Sequence, residues 1–151
     1  MLGLSGVATI VATLLLKLVA YSGYTYVCSH WISEKVGHSA AIKFGAIRCV
    51  VGAVIGGFFY WAIFPWIVMR GPRGTILLFP IFVIPFRWLE WAMIEPLVRH
   101  QGPQHWLKRD FLVGLFSTNS NSYSWRFFGI LCSIATDIIG MILSGVAGAL
   151  C

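Results

Sequence analysis

Two ionisable residues stand alone inside long apolar runs: Lys17 within Leu2–Cys28, and Asp137 within Phe127–Cys151. At the centre of a bilayer such a charge costs roughly 2.5–3.5 kcal/mol on insertion scales, so it takes a partner or lines a water-filled path. Lys17 has a long stem and can snorkel toward Tyr21, one helical turn away. Asp137 has a short reach and must be protonated and hydrogen-bonded, or paired. Lys17 is 15 residues from Leu2, and Asp137 is 14 residues from Cys151. At about 1.5 Å per residue, both lie roughly 21–23 Å from the same face if the two ends share one. The pair is therefore expected to meet.

A second group is the charged strip Arg87, Glu90, Glu95 and Arg99, interleaved with Trp88 and Trp91. On one helix Arg87 reaches Glu90 at i,i+3, Glu95 reaches Arg99 at i,i+4, and Arg87 can lie over Trp91. The strip reads as an interfacial anchor, together with the basic reversal Arg70-Gly71-Pro72-Arg73-Gly74. Its other reading is a lipid-active enzyme, in which Glu90 and Glu95 do acid–base work beside His100 and His105. No nucleophile accompanies them. The histidines His30, His38, His100 and His105 all lie outside the middle of the apolar runs, which argues against an intramembrane haem. Cys28, Cys49, Cys132 and Cys151 form no C-x-x-C pair. No metal and no cofactor are expected.

A third pattern is made of small residues at four-residue spacing. Thr136, Gly140, Ser144 and Gly148 share one helix face; Gly52 and Gly56 form a shorter row, beside Gly45, Cys49, Ala53 and Gly57. Such rows let helix backbones approach closely in lipid, within one chain or between chains.

The elements that must hold these residues follow from composition. Of 151 residues, 58% are apolar and 11% charged, against about 25% charged in a soluble domain. Mean hydropathy is +0.82. An ordinary water-soluble domain, a disordered chain and a nucleic-acid-binding module are excluded, although the net charge is +6. The reading is an all-α integral membrane protein, a single domain of four transmembrane helices at about 2–28, 49–69, 75–98 and 127–151. The first run exceeds signal-peptide length and is expected to remain as an uncleaved span. Pro65 should bend the end of the second. Pro80 and Pro85 should kink or interrupt the third, which is a broken span or a re-entrant segment. Residues 107–116 suit a short interfacial helix, and Ser117–Ser124 a solvated loop.

With four spans, connectors 29–48 and 87–126 share one side and carry Lys35, Lys43, Arg48, Arg87, Arg99, Lys108, Arg109 and Arg126. Arg70 and Arg73 lie opposite, so the positive-inside rule turns both termini away from the cytoplasm. A re-entrant third stretch would separate the termini and put the N-terminus inside. The partners expected are membrane lipids with anionic headgroups, further copies of the chain or other membrane subunits, and no nucleic acid. The functional reading is a non-catalytic membrane subunit that assembles through its small-residue faces into a homo-oligomer or larger complex. Two others stand beside it: an ion or proton channel or transporter component using Lys17 and Asp137, and the lipid-active enzyme.

Overall fold

A computed structural model describes residues 4–32, 36–100 and 119–149. Every element among them is helical: α1 (Leu4–Cys28), a 3-10 turn (Ser29–Trp31), α2 (His38–Ala62), α3 (Phe64–Val68), α4 (Gly71–His100) and α5 (Ser120–Ala149). The 107–116 segment, His105 and Cys151 lie outside the described residues.

Helix ends depart from the apolar runs for identifiable reasons. α2 starts well before Cys49, at an extended Gly37, because Ser39–Arg48 contains no proline and its one glycine, Gly45, is held against α1. The polar stretch before it is therefore helical from His38 onward. α2 ends at Ala62, and α3 begins anew with Pro65 in its first turn, where a missing N–H costs nothing. Pro65 thus marks a break between two helices, more than the bend expected of it. Gly71 then turns the chain with a φ of 77°, a conformation that favours glycine.

α4 runs from Gly71 to His100 in one piece through Pro80, Pro85 and Pro96, so the expected interruption is absent. Lipid-embedded helices tolerate proline because neighbouring groups re-satisfy the freed carbonyls. α5 begins at Ser120, inside the stretch expected to be a loop. Asn119 caps it: its side-chain Oδ1 accepts the Asn121 N–H at 3.2 Å, and its carbonyl accepts the Tyr123 N–H at 3.1 Å.

Three helices are long and apolar enough to cross a membrane: Gly6–Trp31, His38–Phe59 and Ser120–Leu143. Their outward faces carry exposed Val11, Leu15, Val54, Phe58, Ile139 and Ile142, a surface suited to lipid. α1 packs on α2 and α5, and α4 packs on the same two helices from the other side. One end of the assembly gathers the C-terminal ends of α1 and α4 with the N-terminal ends of α2 and α5. There Tyr24 donates its hydroxyl to the Trp125 carbonyl at 2.5 Å, and Arg99 Nη2 donates to Ser122 Oγ at 3.2 Å. The densest core lies toward this end, where Tyr21, Tyr24, Trp91 and Trp125 meet with ring centroids 4.9–5.7 Å apart.

Candidate functional site

Next to this aromatic layer, the four long helices each contribute to one chain of charges. Lys17 on α1 places Nζ 2.7 Å from Asp137 Oδ1 on α5. Asp137 Oδ2 accepts from Arg87 Nη2 on α4 at 2.5 Å. Arg87 Nη1 donates to Glu90 Oε2, one turn along, at 2.9 Å. Glu90 Oε2 also accepts from Arg48 Nη2 on α2. Signs alternate along Lys17, Asp137, Arg87, Glu90 and Arg48, so each anion lies between two cations. Solvent access falls along the series: side-chain exposure is 25% and 28% at Lys17 and Asp137, and 1% and 2% at Arg48 and Glu90.

The buried end is anchored by polar and aromatic groups. Ser133 Oγ accepts from Arg48 Nη2 at 3.2 Å and from Trp91 Nε1 at 3.0 Å. The Arg48 guanidinium lies 4.9 Å from the ring centroids of both Tyr21 and Trp91. Two glycines make room. A Cβ on Gly52 would lie 2.6 Å from Arg48 Nη1, and one on Gly129 would lie 2.5 Å from the Trp91 indole.

A second charged group lies nearer the aromatic end of the molecule. Glu95 accepts from Arg99 Nη2 at 2.9 Å, Ser122 Oγ at 2.6 Å and Arg126 Nε at 2.9 Å. Arg126 is 1% exposed and lies under Trp88.

Two cavities border the first group. The larger, about 690 Å³, has the charges Lys17, Arg87 and Asp137 in its lining and apolar walls that include Phe59, Val83 and Ile134. The smaller, about 210 Å³, lies between α1 and α2 and is lined by Lys17, Tyr21, Arg48, Gly52 and Arg87. Lys17, Gly56 and Arg87 line both.

The sequence-derived residues distribute as follows. Lys17, Asp137, Arg87 and Glu90 come together; Glu95 and Arg99 form the separate second group. Glu90 and Glu95, expected in an interfacial strip, are each 1% exposed and turned inward, where buried arginines on neighbouring helices neutralise them. The cation over Trp91 is Arg48 and not Arg87, which is held by Glu90 and Asp137. Arg70 and Arg73 are exposed, with Arg70 stacked on Trp66 at 4.8 Å. Gly140 faces Thr13, 3.0 Å from where its Cβ would be, while Gly56 opens on the cavities. The Thr136 hydroxyl donates to the Ser133 carbonyl in its own helix at 2.8 Å. Ser144 and Gly148 belong to α5, and His100 ends α4. No group of three or more His, Cys, Asp or Glu suited to a metal ion occurs among the described residues.

Arg48 and Arg126 escaped the sequence reading because both abut apolar runs, where arginine usually marks an interface. The available signal was Arg48 between Gly45 and Gly52, small residues on its own helix face. Comparison with protein-family models, curated proteins and solved structures found no match.

Proposed function

We propose that this chain is a four-span integral membrane protein that handles a small charged solute at an intramembrane site, as a carrier or channel component and without covalent chemistry. The observation that carries the reading is the alternating series of charges drawn from all four long helices and reached by a cavity. Ionisable residues at membrane depth typically mark solute or proton paths. Helix cohesion alone is a poor reason for them, since apolar replacement of a buried ion pair is often neutral or stabilising.

The path of the chain supports a fourth crossing. α2 leaves the end at which α5 begins, and α4 runs back between them, its Trp88 beside Tyr123 and its Phe86 beside Phe59. If α1, α2 and α5 cross, α4 crosses with them. Its low hydropathy reflects Arg87, Glu90, Glu95 and Arg99, which find their partners inside the bundle and not in lipid. Assembly through the small-residue rows draws less support, because Gly45 and Gly140 are already packed against α1 of the same chain. The enzyme reading loses its carboxylates to the arginines that hold them.

Reconstitution into liposomes tests the proposal. Proton, chloride and butyrate gradients are applied in turn, and flux is followed with entrapped dyes or a solid-supported membrane. Wild type should carry at least one of them, with a drop of about tenfold or more in Asp137→Asn and Arg87→Gln proteins that keep their helical circular dichroism. A wild type inert to all three, or variants with undiminished flux, would overturn it.

A further inference from the structure

We propose that the two adjoining cavities form one binding site for an amphiphilic monoanion, a carboxylate with an apolar tail. The inference rests on the functional reading above and names the class of solute. Its first support is charge. Lys17, Arg48 and Arg87 stand against Glu90 and Asp137, leaving one positive charge uncompensated among groups lining or bordering the cavities. In an apolar surrounding that excess favours one negative charge and repels a cation.

The second support is an incomplete arginine. Arg48 is 1% exposed, yet its Nε and Nη1 have no hydrogen-bond partner; only Nη2 is engaged, by Glu90 and Ser133. Buried donors of this kind are rare and costly, more so on a cation. Nη1 lies against Gly52, and both residues line the smaller cavity. A carboxylate there accepts from Arg48 Nη1, a charge-assisted hydrogen bond, and is flanked by Lys17 and Arg87.

The third support is the shape beyond the charges. The larger cavity continues past Lys17, Gly56 and Arg87 between Phe59, Val83, Ile134 and Met141, and its volume falls within the ~300–1,000 Å³ of small-molecule sites. An inorganic anion would leave these walls unused. An acyl or aryl tail fills them, with the missing side chain of Gly56 leaving the passage between the two cavities open; nothing lies within 4 Å of a Cβ built there.

Binding of radiolabelled dodecanoate to the full-length protein in zwitterionic nanodiscs, in alkaline buffer, tests this without any flux. Saturable binding is expected, with dodecan-1-ol at least about tenfold weaker as a competitor. Millimolar acetate or phosphate should not displace the label. Gly56→Leu should abolish binding in protein that keeps its helical circular dichroism, because its Cβ meets nothing within 4 Å and the rest of the side chain enters the space shared by the two cavities. Val54→Leu, on the exposed face of the same helix, should bind like wild type. Equal competition by the alcohol, displacement by phosphate or acetate, or undiminished binding in Gly56→Leu would each overturn the proposal. Flux of chloride or protons that persists without dodecanoate binding would sink the ligand assignment and leave the carrier reading standing.

Discussion

Asp137 holds two cations at once, and that asymmetry sets what its loss should do. Lys17→Met leaves Asp137 with Arg87, whereas Asp137→Asn releases both Lys17 and one side of Arg87. The aspartate variant should therefore be the less stable, by roughly 1.5–3 kcal/mol relative to wild type, the usual worth of hydrogen bonds to charged groups. Adding Lys17→Met to Asp137→Asn should recover part of the loss. Glu95→Gln should cost more than either, toward ~3–5 kcal/mol, since it removes the charge that neutralises Arg126 at 1% exposure. Reversible unfolding in mixed micelles ranks all four; strictly additive losses at 17 and 137 would mean that the two side chains do not interact. Lys17 and Asp137 were legible in the sequence because a lone charge in an apolar run has no other context. Arg48 and Arg126 were not, because an arginine beside such a run looks the same whether it faces headgroups or turns inward. Only the depth of a carboxylate on a facing helix distinguishes them, and Glu90 and Glu95 lay in the one stretch whose own path was ambiguous.

Along an element, spacing identifies a face but not what meets it. Gly45, Cys49, Ala53 and Gly57 form one row on α2, yet its two glycines have opposite surroundings. A Cβ on Gly45 would lie 2.8 Å from the backbone nitrogen of Ser22, a contact that only a shift of α1 can relieve. On Gly57 it would meet nothing within 4 Å. Gly45→Ala should accordingly destabilise by roughly 1–3 kcal/mol, as overpacking does. Gly57→Ala should be neutral or stabilise by up to about 1 kcal/mol, the helix-propensity difference between the two residues. The same unfolding assay applied to this pair decides it, and equal effects would mean that α1 and α2 do not approach closely at Gly45. The helices themselves were readable from apolar length. Their ends were not, because they depend on local capping: Asn119 starts α5 within a serine-rich stretch that composition assigns to a loop, and nothing in Ser39–Arg48 stops α2 from starting early. Of the kink or interruption expected at Pro80 and Pro85, the interruption does not occur, since a breaker in isolated helices is tolerated once α4 lies between α2 and α5.

At the scale of the whole molecule, the burial of arginines changes the arithmetic of orientation while preserving its outcome. Arg48, Arg87 and Arg126 are neutralised inside the protein and cannot contact a headgroup or hold a loop on one side. By sequence, the connectors that join the start of α2 and the end of α4 carry Lys35, Lys108 and Arg109 in addition to Lys43 and Arg99, against Arg70 and Arg73 at the α3–α4 turn. The excess still favours the end with those connectors as cytoplasmic, by the positive-inside rule. In a cysteine-free background, Ser120→Cys at the start of α5 and Met69→Cys beside the Gly71 turn report one end each, and both positions are exposed. A membrane-impermeant thiol reagent applied to intact cells should label Met69→Cys and spare Ser120→Cys until the membrane is opened. The reverse pattern would invert the orientation while keeping α4 as a crossing. Labelling of both positions from the same side would count against the crossing itself, because α4 is the described helix that lies between them. The alternating charges would then no longer lie between four membrane helices, and the carrier reading would fall with the topology.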